Sequence, residues 1–302
     1  MLDIVGVGHN CLDRLCTVEA YPPEDGSTHI TSMSVQGGGA AATAMVAASR
    51  LGKKTALIGP IGTDSTSAEI RRLLEEDGVD CSYLLADEKN YGLQSFVMIN
   101  PENGSRTKFP QRDNLPDILW TEELFGVIRS AKVLHLDGTN NANAMAAAKC
   151  AKESGVTVSL DGCSLKDDNA KNVALASMAD ILIMNAKYPL RVTGLTDYDA
   201  ALAEIAGWGP QVVIATLGDR GCKAWMNGEV RNFPAFRVKA VDTTGAGDVF
   251  HGAFLTAWLD GMDPEACIRF ASAVSAIKCT KPGGRAGIPT REEAFGFVNR
   301  NI

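Results

Sequence analysis

Val241-Asp-Thr-Thr-Gly-Ala-Gly-Asp248-Val-Phe-His-Gly-Ala-Phe254 reads as the end of a strand, a glycine-rich turn and the start of an apolar helix. Gly245 and Gly247 allow a tight turn. The N–H groups of residues 245 to 247 would converge at a helix N-terminus, where the macrodipole adds positive potential. The stretch therefore predicts an anion site for a phosphoryl group. Asp248 conflicts with such a site unless it has chemistry to do, because a carboxylate repels the same ligand. Accepting the proton of an attacking hydroxyl is chemistry of that kind, with Gly245, Ala246 and Gly247 supplying donors where charge gathers. For an isolated Gly-x-Gly-Asp, a carboxylate that merely complements the helix dipole is the plainer account. The surrounding sequence decides between the two.

On both sides of this stretch, apolar β-rich runs alternate with longer helical patterns, the sequence form of βαβ units and a mostly parallel sheet. Strands are expected at Asp3–Val7, Thr55–Ile58, Val133–Leu136, Val156–Leu160, Ile181–Met184 and Val212–Thr216. Most are continuously apolar, as a sheet covered on both faces requires. Helices are expected at Ala40–Leu51, Ser67–Glu76, Ala142–Ser154 and Pro264–Lys278, the first two closed by Gly52 and Gly78. Two segments, 11–36 and 91–114, break the alternation. The second holds Gln94–Asn100 and Ser105–Phe109 around a Pro101-Glu-Asn-Gly104 turn. One α/β domain spanning residues 1–302, with these segments forming a small β lid, is the expected architecture; surface hairpins are the alternative.

A chain of 302 residues, 45% hydrophobic and 22% charged, can bury a large core unaided. A formal charge of −7 argues against nucleic acid and anionic lipid as partners. The opening residues lack a basic, cleavable leader and no apolar run is long enough to span a bilayer, so a cytoplasmic protein is expected. Eight cysteines without Cys-x-x-Cys spacing read as small apolar residues, and four unpaired histidines make structural zinc a poor reading. Gly6-Val-Gly8-His-Asn-Cys11 begins like a dinucleotide-binding turn, but its third glycine is Cys11 and no second half of a nicotinamide site is visible. No Gly-x-x-x-x-Gly-Lys-Ser/Thr motif occurs.

Asp242-Thr-Thr-Gly-Ala-Gly-Asp248 followed by Gly252 resembles the C-terminal signature of the ribokinase family, the PfkB carbohydrate kinases. The resemblance covers the chain. Gly38-Gly39, the Ala-rich helix and Gly59-Pro-Ile-Gly62-Thr-Asp64 resemble the N-terminal signature, and Gly8-His-Asn-Cys-Leu-Asp13 the segment whose aspartate binds sugar hydroxyls. The resemblance implies a ribokinase-like fold, ATP-dependent phosphorylation of a sugar hydroxyl, magnesium and a homodimer paired through the lid. It implies Asp248 as catalytic base, Asp13, Gly38 and Gly39 on the acceptor, and Asn185, Thr216, Gly218 and Gly221 along the nucleotide. Asp242, Lys281 and Gly283 would hold a monovalent cation such as potassium.

Three departures bear on function. Asn185-Ala-Lys-Tyr188 has Tyr where the family's Asn-x-x-Glu motif has the glutamate that organises magnesium. Thr43 stands where ribokinase has an asparagine for the sugar, which turns the expectation away from ribose toward a ketose or ketose derivative. Gly37–Thr43, Asp248–His251 and Lys278–Pro289 most resemble the sulfofructose kinase branch, yet Ser27 and Gly138 replace that branch's sulfonate-binding groups. Lys108 and Arg112, in the second lid segment, are the cations left to meet an anionic sugar; solvated edge-strand charges are the alternative. A sugar-binding regulator without catalysis and a nucleoside kinase of the same family are the rival functions.

Overall fold

The computed structural model describes residues 1–100, 106–111 and 115–300, so the turn at 101–104 and Arg112 lie outside the described residues. β1 (Ile4–Val7) is followed by β2 (Cys11–Val18), β3 (Ile30–Gly38), α1 (Ala40–Arg50) and β4 (Thr55–Ile61). Next come α2 (Ser65–Glu76), the short β5 (Val79–Asp80) and β6 (Leu84–Ala86), then β7 (Gln94–Ile99) and β8 (Arg106–Pro110). α3 (Glu122–Ser130), β9 (Val133–Leu136), α4 (Asn141–Glu153), β10 (Thr157–Gly162), α5 (Asn169–Ala176) and β11 (Ile181–Asn185) alternate regularly. They lead to α6 (Tyr188–Thr193), α7 (Tyr198–Ala206), β12 (Val212–Thr216), β13 (Cys222–Met226) and β14 (Glu229–Phe233). The helices α8 (Ala246–Leu259), α9 (Pro264–Lys278) and α10 (Arg291–Arg300) follow.

The main sheet has the order β14-β13-β12-β11-β10-β9-β1-β4-β5, with β6 also paired to β4. It is parallel from β12 to β5 and antiparallel at the β12–β13–β14 edge. Every residue of β1 and β9 is buried, as continuous apolar strands between two helical layers should be. One core packs α1, α8 and α9 against one face, the other packs α3, α4 and α7 against the opposite face. Among the described residues, no helix is long and apolar enough to cross a membrane.

Two boundaries differ from the sequence expectation for local reasons. α2 begins at Ser65 rather than Ser67 because Asp64 caps it, accepting the Ser67 N–H at 2.8 Å. The β13–β14 hairpin was not anticipated, although its Asn227-Gly228 turn, with φ of 53° and 87°, is a strong two-residue hairpin signal.

The two segments that break the alternation form a separate four-stranded sheet of order β3-β2-β7-β8. β2 pairs antiparallel with β3 and parallel with β7, and β7 pairs antiparallel with β8. Side chains alternate across it. Asp13, Gln36 and Ser95 share one face with Leu15, Ser34, Val97 and Lys108, whereas Arg14, Val35, Phe96 and Phe109 share the other. Because β1, β9, β10, β11 and β12 are parallel, their C-terminal ends meet along one edge, where ligands of open α/β sheets bind. Asp137, Asp161, Asn185 and Thr216 stand at that edge.

Candidate active site

The glycine-rich turn enters α8 with Gly245 as N-cap at φ 71°, a left-handed conformation, and a Cβ there would lie 3.0 Å from the Gly284 carbonyl oxygen. The sequence assigned three converging amides to this turn. The structure corrects one: the Ala246 N–H donates to the Thr243 carbonyl at 3.2 Å. The Gly245, Gly247 and Asp248 N–H groups have no acceptor among the described residues, as the first turn of a helix leaves them. Gly245 and Gly247 therefore keep N–H groups open to a ligand, with Ala246 between them tied to Thr243.

Asp248 lies in the first turn of α8 and is half-buried. Burial, reinforced by the charges of Asp161 and Asp137 and opposed by His251 and Lys108, pushes its carboxyl up to about 7. Asp161 and Asp137 are buried at the ends of β10 and β9. Asp137 accepts the N–H groups of His9 at 2.6 Å, Ala41 at 3.2 Å and Thr139 at 2.9 Å, so it ties β9 to the start of α1. His251, one turn beyond Asp248, places Nε2 3.3 Å from Asp161 Oδ1. Burial alone would raise Asp161, but His251 outweighs it and holds the carboxyl below its ordinary value. Behind them the His135 ring lies tilted at 5.2 Å from that of His251, and burial lowers its imidazole to about 3, a neutral ring at any working pH. Motif reading missed Asp137 and Asp161. Their signal was positional, a carboxylate just beyond each of two expected parallel strands.

Asp13 projects from β2 on the lid face it shares with Lys108. Burial raises its carboxyl, while Lys108 and Arg285 pull it back. The Lys108 field thus reaches both Asp13 and Asp248, although the Lys108 side chain itself is exposed. Gly38 closes β3 against Asp13, where a Cβ would fall 2.5 Å from Asp13 Oδ2, and Gly39 caps α1. Thr43 is sealed in the first turns of α1, its hydroxyl taking a hydrogen bond from Arg285 Nε at 3.2 Å. Arg285 Nη2 also donates to the Gly38 carbonyl at 2.8 Å. Thr43 is thus engaged with Arg285 behind the acceptor loop, a partner the sequence did not indicate.

On the other side of the anion loop, a cavity of about 750 Å³ is lined by Thr216, Gly218, Gly221, Phe236, Gly247 and Ser275, among others. Its volume falls within the range of small-molecule sites. Thr216, Gly218 and Gly221, expected along the nucleotide, lie together on its wall, and the 234–240 loop and α9 were not anticipated there. Asn185 pairs in register with Thr216 at the adjoining strand end and caps the following turn, its Oδ1 accepting from Lys187 N at 2.9 Å and Tyr188 N at 3.2 Å. Tyr188 is only 3% exposed, packed in the core, and burial pushes its phenol to about 12. It cannot stand in for a glutamate that faces a hydrated ion. Among the described residues no group of three or more His, Cys, Asp or Glu could cage a metal.

The expected monovalent-cation residues separate. Asp242 accepts the N–H groups of Thr244 at 2.7 Å and Gly283 at 2.8 Å, so these three positions do meet. Lys281 is exposed and its own N–H bonds to the Lys278 carbonyl at 3.3 Å. The cation at this place is the Lys278 ammonium, which donates to the Asp242 carbonyl at 3.0 Å and to the Thr244 carbonyl.

Residues 1–291 match the family described as pfkB family carbohydrate kinase. A nucleoside kinase of Methanothermobacter thermautotrophicus is 30% identical over 97% of this chain and 94% of its own. An ATP-dependent ribose-1-phosphate kinase of Halopiger xanaduensis is 29% identical over the whole of both chains. The crystal structure of a ribokinase from Thermotoga maritima superimposes with a TM-score of 0.85 at 26% identity, covering 99% of this chain and 100% of that one.

Proposed function

The chain belongs to the pfkB family of carbohydrate kinases and is an ATP-dependent kinase of a sugar or nucleoside, and on that premise we propose that Asp248 deprotonates the acceptor hydroxyl while Gly245 and Gly247 hold the transferred phosphoryl group. The observation that carries this reading is the position of Asp248. It directly follows Gly247 of the cavity wall in the first turn of α8, its carboxyl is held near 7, and it feels the same lid cation, Lys108, as Asp13.

Asp13 would fix the acceptor's hydroxyls, and Gly38 and Gly39 would let the sugar approach the main chain. Asp248 takes the hydroxyl proton as the oxygen bonds to the γ-phosphorus, and the bond to the β-phosphate oxygen breaks. Negative charge gathering on the phosphoryl oxygens meets the two amides and the helix dipole. Magnesium would neutralise the phosphates, with Asn185 beside its water shell. With Tyr188 in place of the family's glutamate, the nucleotide phosphates would be the main ligands of that ion.

The acceptor is a ketose or ketose derivative, neutral, phosphorylated or sulfonated, in this reading, and an anionic group on it has support of its own. Lys108, whose field reaches Asp13 and Asp248 from the lid, supports it, as do the stretches resembling sulfofructose kinases. The full-length relative that acts on ribose-1-phosphate supports an anionic sugar of another kind. A nucleoside acceptor is the second reading, favoured by the relative from Methanothermobacter. An ADP-release assay over neutral, phosphorylated and sulfonated sugars and nucleosides tests these together. A preference for nucleosides would overturn the ketose assignment.

A homodimer is proposed through the outer lid face, where Met33 and Phe109 are 61% and 55% exposed beside Val35 and Phe96. A monomer by light scattering at micromolar concentration would count against it.

A further inference from the structure

Lys278 is the last residue of α9 and is 0% exposed, a burial that is costly for a lysine unless its donors find acceptors. Its Nζ donates to the carbonyls of Asp242 and Thr244, immediately before the anion loop. The same helix reaches the loop twice more: Ser275 Oγ donates to the Ala246 carbonyl at 2.9 Å, and the Cys279 carbonyl accepts from Val241 N and Asp242 N. A planar trans peptide points its N–H opposite to its C=O. Drawing the Thr244 carbonyl back onto the ammonium therefore turns the Gly245 N–H forward. Holding the Ala246 carbonyl on Ser275 does the same for Gly247.

We propose that Lys278 is a positioning residue, a tethered cation that fixes the Thr244 carbonyl and thereby aims the Gly245 amide at the transferred phosphoryl group, so that the kinase turns over without a dissolved monovalent cation. The inference rests on the reading of residues 245 and 247 as the anion site. A free potassium or ammonium ion would have to bind the same carbonyl oxygens, and the lysine already occupies them. Its charge arrives with the fold and costs no ion-binding entropy.

Initial rates of the wild-type enzyme in chloride salts of potassium, sodium, lithium and tetramethylammonium, at equal ionic strength, should agree within about two-fold. Activation of several-fold by potassium would overturn the proposal. In Lys278→Ala, kcat should fall about 100-fold with KM for the sugar little changed, the scale of losing one aimed donor. Ammonium or potassium chloride should restore about ten-fold or more of that loss, and tetramethylammonium none. Lys278→Met fills the space and should not respond to any salt. A folded Lys278→Ala that keeps its kcat, or loses it beyond rescue by ammonium and potassium, refutes the tethered-cation role. If both variants fail to fold, the wild-type salt series decides alone. Asp248→Asn assayed in parallel separates the premise: retained activity there would remove the anion-site reading whatever the salts show.

Discussion

Residues 241–248 are gripped from behind, whereas the lid grips from in front. Lys278, Ser275 and Cys279 hold the carbonyls and amides of this loop, and in the proposed function the loop would present main-chain N–H groups to a phosphoryl group. The lid reaches the same site with side chains, Asp13 and Lys108, alternating on a four-stranded sheet whose other face exposes Phe96 and Phe109. Main-chain donors recognise a phosphoryl group whatever its source, and side chains on an exposed sheet can be exchanged without disturbing a core. The conserved chemistry of a kinase therefore suits the first arrangement, and choice among acceptors suits the second.

The sharpest way to break this comparison is Asp248→Asn, which keeps the size of the side chain and removes its basicity. A loss in kcat of roughly 10²–10⁴-fold is expected, with KM for ATP and sugar changed only a few-fold. The sign on stability is opposite. A carboxyl whose folded value of about 7 lies above its ordinary 3.8 binds its proton more tightly in the folded state. Its contribution is present at low pH and becomes a cost as pH rises from about 4 to about 7. Asp248→Asn should accordingly melt a few degrees higher than wild type at pH 8, measured by calorimetry. A variant that keeps more than about half of wild-type kcat would return Asp248 to the role of a helix-end carboxylate.

The lid half of the comparison is tested by Lys108→Ala. A lost charge-assisted hydrogen bond is worth about 1.5–3 kcal/mol, so KM for a phosphorylated or sulfonated ketose should rise about 10- to 100-fold. The neutral ketose should be unaffected. Equal effects on both would make Lys108 a solvated edge charge, and adding Arg112→Ala should deepen the selective effect if that residue shares the work.

The fold and the glycine-rich turn that leads into Asp248 were legible in the sequence because each is a local pattern. Continuous apolar strands, helix-period stretches and one glycine-rich turn place β1, β9–β12, α8 and Asp248 without any long-range knowledge. The lid was legible as an interruption of that pattern, but its pairing was not, since β2 lies beside β7 across a long stretch of chain. The partners of Thr43 and the exposure of Lys281 were hidden for the same reason. Whether a hydroxyl or an ammonium faces a ligand depends on partners such as Arg285 and Lys278, which reach them through tertiary packing. His251, quoted only as part of a resemblance, acquires meaning when Asp161 arrives from another strand.

That pair gives a smaller test of the donor side. Asp248 must be ionised to accept a proton, so kcat/KM should rise with pH through an inflection near 7. Asp161→Asn removes a neighbouring negative charge and should move the inflection down by about one unit; His251→Asn removes the opposing influence and should move it up by a similar amount. Shifts in the same direction would show that the two act through packing and not through their charges on Asp248.

The smallest expected effect separates position in sequence from position in space. Lys278 and Lys281 lie three residues apart at the end of α9, and the resemblance to the family pointed to the second. Lys281 is exposed, and its field registers on the Glu293 carboxylate outside the site. An exposed ammonium in water contributes little to a fixed geometry, because its interactions are screened and its side chain is mobile. Lys281→Ala should therefore leave kcat, both KM values and the response to potassium within about two-fold of wild type. A loss comparable to that of Lys278→Ala would mean that the charge at the back of the anion loop is shared between the two lysines. The main-chain grip on residues 241–248 would then depend on a solvent-facing side chain, and the contrast between a loop held from behind and a lid that reaches from the surface would no longer describe this enzyme.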